Sequence, residues 1–154
     1  MLLRYTGCLL GAAIGDAMGM AGEGAPADLW RADCSFRRAY RGRPNDDLFP
    51  GQYTDDTQLM LLTAELLAGR TYSLERYAER LQALYQSGGL RFPDGSVVAA
   101  CVHLLDGSSP RESGVNSTTA GCIPAGIPFA LAYQDPVDIR ETVARLASVT
   151  HTNL

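Results

Sequence analysis

The sequence has little of what a zinc site or a disulfide framework requires. It has two histidines and four cysteines. Cys8, Cys34, Cys101 and Cys122 lie far apart, with no CxxC pair and no Cys/His ligand spacing, which argues against zinc. Cys8, Cys101 and Cys122 fall in apolar stretches, where a free cysteine is expected to behave as a small buried hydrophobe. A basic stripe is also missing. Thirteen cationic side chains face seventeen acids, for a net charge of -4, so nucleic acid is not an expected partner. Arg37, Arg38, Arg41 and Arg43 form only a small local cluster, read as part of a solvated loop. No segment alternates as a half-buried strand would, and there is no internal repeat or low-complexity tract.

The N-terminus admits two readings. Met1 to Ala21 is apolar with Arg4 near its start, as in a secretory leader. Asp16 interrupts that apolar segment, which argues against the leader and against a membrane segment. Gly7, Gly11, Gly15 and Gly19 recur every four residues and share one helix face, where a second helix could approach closely. A tightly packed, buried helix is the reading we adopt, and the compartment expected is the cytoplasm.

The apolar spacing predicts an all-α chain. A first helix covers Leu2 to about Met20, and residues 21–53, rich in Gly, Pro, Asp and Arg, form a long irregular excursion of the kind that is usually functional. A second helix runs from Thr54 to about Ala68, with Leu59, Leu62, Thr63, Leu66 and Leu67 facing inward and Gly69 as its stop. Ser73 caps a third, whose inward face is Leu74, Tyr77, Ala78, Leu81, Leu84 and Tyr85. A fourth covers roughly Ser96 to Leu105. A fifth begins near Ser117 and passes through Pro124 and Pro128 to Tyr133, with kinks or a break at the prolines. A sixth follows Asp135-Pro136, with Ile139, Val143, Leu146 and Ala147 inward. After Ala147 there is neither a terminating glycine nor a charged tail, so residues 1–154 read as the interrupted N-terminal portion of a single domain.

Chemistry is concentrated at Thr54-Asp55-Asp56-Thr57. Capping accounts for Thr54 and for one acid, which complements the positive end of the helix. Two adjacent acids ahead of an unbroken apolar helix are explained less well by capping. Neighbouring side chains at a helix start point about 100° apart, so the carboxylates and a threonine hydroxyl can converge only on something beyond the helix end. Hard oxygen donors of that kind suit Mg²⁺, Mn²⁺ or Ca²⁺. Asp16, in its glycine-lined helix, needs a partner, and capping a neighbouring loop is the role preferred for it. Glu23 stands just past the first helix, either as a solvated loop acid or as a carboxylate facing a substrate.

Taken together, Gly11-xxx-Gly15-Asp16-Ala-Met-Gly19-xxx-Glu23 followed by Thr54-Asp55-Asp56-Thr57 resembles the ADP-ribosylglycohydrolase family, of the dinitrogenase-reductase-activating glycohydrolase type. Val115-Asn116-Ser117 through Pro124 is similar to that family's S-N-G-A-x-M-R-x-x-P element, and Thr150-His151 to its later T-H element. The resemblance implies a multi-helical all-α fold with a centre of two Mg²⁺ (or Mn²⁺) ions in a cleft for ADP-ribose. Carried over by position, Thr54, Asp55 and Asp56 are metal ligands and Asp55 and Asp56 belong to the catalytic set. Glu23 is the acid/base or gating carboxylate, and Asn116 and His151 line the ADP-ribose site. A packed or surface role for His151 stays open beside this. The implied activity is hydrolysis of the glycosidic bond between ADP-ribose and a protein side chain or small molecule, with oxocarbenium character at the anomeric carbon.

Two departures stand out. Gly121 occupies the position of the family's arginine, with Ser117 in place of its glycine. The late D-x-D-T motif that supplies the remaining metal ligands is absent, so the chain covers the N-terminal half of the resemblance. A non-catalytic relative that binds ADP-ribose, or serves structurally, is therefore the rival reading. A third treats the acids as helix caps only. An isolated half would expose apolar helix faces, which predicts a complementary C-terminal chain or self-association.

Overall fold

The computed structural model of the chain describes residues 2–26, 35–39 and 42–153. These residues are helical or irregular, with no strand among them and one isolated parallel bridge between Val115 and His151. Helix α1 spans Leu2–Gly19 and tightens into a 3₁₀ turn at Met20–Gly22. Helices α2 (Asp55–Ala68), α3 (Leu74–Gln86) and α4 (Gly95–Leu105) follow. A 3₁₀ turn at Pro124–Gly126 leads into the short α5 (Ile127–Ala132), and α6 spans Pro136–Ala147.

The helices start where local chemistry satisfies their first amides. The hydroxyls of Thr54 and Ser73 and the carboxylates of Asp94 and Asp135 accept from backbone N–H groups of α2, α3, α4 and α6 respectively. Their inward faces meet in one core. Leu59, Leu62 and Leu66 of α2 pack with Tyr77 and Leu81 of α3, Val97 and Cys101 of α4, Phe129 of α5 and Leu146 of α6. Phe129 is wholly buried and meets the Tyr72 ring edge-on at 4.8 Å. Each such side chain contributes roughly 1.5–3 kcal/mol by leaving water. Gly126 is needed where α5 meets α6, because a Cβ there would lie 2.8 Å from the Val143 Cγ1.

Three expectations are revised. Among the described residues helix α1 is not tightly packed: Ala17 is its one buried residue, and a Cβ added at Gly7, Gly11, Gly15 or Gly19 meets none of them within 4 Å. A stripe of small residues creates the capacity for close approach but does not supply the partner. Cys8, on that open helix, is exposed rather than buried, whereas Cys101 and Cys122 are buried as expected; Cys34 and Arg41 lie outside the described residues. Residues 117–123 form no helix. The Ser117 hydroxyl accepts from the Thr119 amide at 3.2 Å, and Pro124 has no N–H to donate back to Ala120, so side-chain turns replace the helix. No helix among the described residues is long and apolar enough to cross a membrane.

Candidate active site

Asp16 joins α1 to the head of α2. Its Oδ2 accepts from the Thr54 amide (2.9 Å), the Thr57 amide (3.2 Å) and the Thr57 hydroxyl (2.6 Å). Its Oδ1 accepts from the Thr54 hydroxyl at 2.8 Å. The carboxylate therefore caps α2 from a neighbouring helix, the role preferred for it on sequence grounds. Both threonines of the Thr54–Thr57 run give their hydroxyl protons to Asp16. The Thr54 oxygen also accepts weakly from the Asp56 amide at 3.4 Å, which leaves it one lone pair. Asp55 and Asp56 are thereby free of the capping task.

These two acids are electrostatically unsettled. Asp55 is 4% exposed. Burial, together with the charges of Asp56 and Asp94, lifts its pKa to about 7, although its carboxylate accepts the Asp94 amide at 3.2 Å. Burial and the charges of Asp16, Glu23 and Asp94 lift Asp56 to about 6. Glu23, exposed at the mouth of the cleft, is raised by partial desolvation and then by Asp16 and Asp94.

Asp94 belongs to the same cluster, and the sequence reading missed it. It caps α4 through Oδ1, which accepts the Ser96 amide at 2.8 Å. Desolvation works to raise its pKa, but hydrogen bonds from Thr119 and Ser96 and the neighbouring His151 outweigh this and hold it below the usual carboxylate range. Its loop is fastened to α2. Gln58 bridges the Gly89 carbonyl and the Arg91 amide, the Asp55 amide donates to the Arg91 carbonyl, and the Arg91 guanidinium stacks 4.4 Å over the Tyr53 ring. Phe92, two residues before Asp94, has a φ of +48°. That strained conformation turns the chain between its contact with Met20, Ala21 and Leu48 and the cleft. A cap-like Asp94-Gly95-Ser96 was the available signal, but nothing local marks the residue as facing other acids.

Two adjoining cavities meet along Glu23, Thr54 and Asp56. One, about 670 Å³, runs between α1 and the head of α2 toward Pro124 and Ile127. The other, about 600 Å³, is bounded by Asp55, Phe92–Gly95, Thr119–Gly121, Ile123 and Pro124. Each volume suits a ligand of nucleotide size. Among the described residues, no arginine or histidine bounds either cavity. Gly121 lies against Asp94: a Cβ there would stand 3.0 Å from its Oδ2. Asn116 is exposed and His151 is buried, and neither bounds either of these two cavities. His151 touches the cleft through Thr119, whose hydroxyl is 2.9 Å from its Nε2. The structure thus gathers Glu23, Thr54, Asp55 and Asp56 with Asp16 and Asp94, sets His151 one residue behind the wall and leaves Asn116 outside it.

As for a metal, the donor chemistry fits. Asp55 and Asp56 are hard oxygen donors whose ionisation is suppressed by burial and by neighbouring carboxylates, a state that a dication would relieve. Among the described residues no three acidic, histidine or cysteine side chains converge closely enough to hold an ion by themselves.

The sequence model described as ADP-ribosylglycohydrolase matches residues 2–154. An uncharacterized protein of Archaeoglobus fulgidus is 33% identical over 151 residues, covering 97% of this chain and 50% of that protein. The ADP-ribosylhydrolase ARH3 of Danio rerio is 31% identical over 162 residues, covering 99% of this chain and 43% of that protein. A solved structure titled ADP-ribosylglycohydrolase-related protein complex superposes with a TM-score of 0.78 at 27% identity, over 97% of this chain and 49% of its own. The chain spans about half the length of the relatives it matches.

Proposed function

This chain belongs to the ADP-ribosylglycohydrolase family, and we propose that it carries the acidic wall of a metal-dependent hydrolase that cleaves the glycosidic bond between ADP-ribose and a protein side chain or small molecule. The observation that carries this reading is the division of labour at the head of α2. Asp16 takes the capping role through Thr54 and Thr57, and Asp55 and Asp56 are left beside Glu23 and Asp94 at the junction of two nucleotide-sized cavities.

Asp55, Asp56 and the remaining lone pair of Thr54 would hold Mg²⁺ or Mn²⁺, with two ions in a complete site. Such ions supply neutralising charge and a fixed grip on ribose hydroxyls. The carboxyls around them have opposed tendencies, the usual mark of an acid/base pair. Glu23, raised at the mouth of the cleft, retains a proton more readily and is suited to donate it to the leaving group. Asp94, held ionised, is suited to accept a proton from the attacking water. Leu3, Leu10 and Ile14 are exposed along α1, and we propose that a complementary chain or a second copy covers this apolar face; light scattering on the native preparation reads the assembly.

Incubation of the native preparation with an ADP-ribosylated protein and Mg²⁺ tests the proposal. Release of ADP-ribose by the unaltered chain, abolished by Asp56→Asn, is expected; no release from any linkage overturns it. Gly121, in the place of the family's arginine, favours a second reading in which ADP-ribose is bound without turnover. Calorimetric binding of ADP-ribose with no hydrolysis would support that alternative.

A further inference from the structure

We propose that Asn45 is a positioning residue for Glu23, and that segment 43–48 clasps the turn after α1 and fixes where that carboxylate stands in the cleft. Met20, Gly22, Glu23, Gly24 and Ala25 all border the cavity of about 670 Å³, so this turn is itself part of the cleft wall. The inference rests on the hydrolase reading only in giving Glu23 work to do; the clasp itself rests on geometry.

The direction of Glu23 is set by two successive turns. The 3₁₀ turn Met20–Gly22 ends at Glu23, whose φ of -59° and ψ of 126° leave the helical path. Gly24 has a φ of +64°, and the Ala25 amide donates to the Gly22 carbonyl at 2.9 Å. Residues 22–25 are therefore a type II β-turn with Glu23 at its second position. The weak point is the joint between the two turns. There the Glu23 amide reaches the Met20 carbonyl only at 3.4 Å, beyond the usual range for such a bond. Left to this bond, the end of α1 would fray as helix ends do.

Asn45 supplies what the joint lacks. It is 1% exposed, and its Nδ2 donates to the same Met20 carbonyl across 25 positions of sequence. A carbonyl can only accept, so the NH₂ end of the amide faces it. Asn45 sits in a turn of its own: the Leu48 amide donates to its carbonyl at 3.1 Å, and the Asp46 amide to the Arg43 carbonyl at 3.1 Å. That turn delivers Leu48 to Met20 and Ala21, against which Phe92 also packs. Arg43 completes the clasp, its guanidinium lying 3.9 Å from where a Cβ on Gly24 would stand. Arg43, Asn45 and Leu48 border neither of the two cavities, so they act on the turn and not on a ligand.

Met20-Ala21 and Gly22-Glu23 are each the sole occurrence of their residue pair in the sequence, so selective labelling of the full chain reads the joint directly. Carbonyl-¹³C methionine with ¹⁵N-alanine gives one correlation, that of the Met20 carbonyl. Carbonyl-¹³C glycine with ¹⁵N-glutamate isolates the Glu23 amide. Asn45→Ala, or the similarly shaped Asn45→Leu should alanine disturb the fold, is expected to move the Met20 carbonyl resonance upfield, as on loss of a donor. It is also expected to lower the heteronuclear NOE of the Glu23 amide to that of a flexible segment. An unmoved Met20 resonance, or a Glu23 amide as rigid as before, overturns the proposal. In hydrolysis of an ADP-ribosylated substrate, Asn45→Ala is expected to lower kcat by up to about 100-fold with KM and Mn²⁺ affinity unchanged. In a Glu23→Gln background it is expected to have no further effect. Equal losses in both backgrounds, or an effect on KM alone, also overturn the proposal. Absence of turnover in the unaltered chain would instead overturn the hydrolase reading and leave the two spectra to decide the clasp.

Discussion

Asp55→Asn separates the electrostatic cost of the acidic site from its contribution to packing. The Asp55 side chain is 4% exposed, and its pKa rises from an ordinary 3.8 to about 7. One pH step between those values corresponds to about 1.4 kcal/mol, so ionising this group within the metal-free fold costs at most about 4 kcal/mol, with solvent relaxation reducing it. Between pH 3.8 and about 7 the folded chain holds a proton that the unfolded chain has released. This contribution therefore lowers stability as pH rises through that window, and it is fully expressed above it. Asparagine removes the charge and retains an amide oxygen to accept the Asp94 amide, now 3.2 Å away. Urea denaturation in the presence of a chelator should show Asp55→Asn more stable than the unaltered chain by about 2–3 kcal/mol at pH 8, with the gain shrinking below about 1 kcal/mol at pH 4. Saturating Mn²⁺ should reverse the order at pH 8. A variant that is less stable at pH 8, or equally improved at both pH values, would refute the reasoning.

Other perturbations separate the roles of the neighbours. Asp16→Ala removes the acceptor for four donors on the buried Thr54 and Thr57, and should cost about 2–4 kcal/mol by chemical denaturation; a neutral result would contradict the capping role. Gly121→Ala places a Cβ 3.0 Å from Asp94 Oδ2. It should reduce turnover while leaving Mn²⁺ affinity intact, as read by kinetics alongside calorimetry. Because Asp55 and Asp56 lose their protons near pH 7 and 6, the rise in melting temperature caused by Mn²⁺ should be larger at pH 8 than at pH 5. An equal rise at both would place the ion elsewhere.

Much of this arrangement is legible in the sequence, and what is legible is local. Thr54, Ser73 and Asp135 announce helix starts because a cap and its amides lie within three residues, and the leucine spacing of α2 gives the face that is buried. The preference for Asp16 as a cap was legible from chemistry, since a shielded carboxylate requires donors, although which donors was not. Asp94 escaped because its importance comes from the company of residues nearly forty positions away. The Ser117–Ile123 stretch reads as the start of the fifth helix, with a break expected only at the prolines, because the competition from serine and threonine hydroxyls for backbone amides is not visible in a helix that is counted from its later residues. His151 was placed on the substrate wall by resemblance, and the fold sets it behind Thr119. The glycine stripe of α1 misled in a different way, because spacing describes a surface and not its occupant.

The central claim is that the head of α2 is a cation-binding wall. Titration of Mn²⁺ into the metal-free chain at pH 8, followed by electron paramagnetic resonance of the free ion, measures this directly. Saturable binding is predicted for the unaltered chain, strongly weakened by Asp56→Asn and by Asp55→Asn but retained in Asn45→Ala. Failure of the unaltered chain to take up Mn²⁺, or binding that survives loss of both acids, would contradict the account.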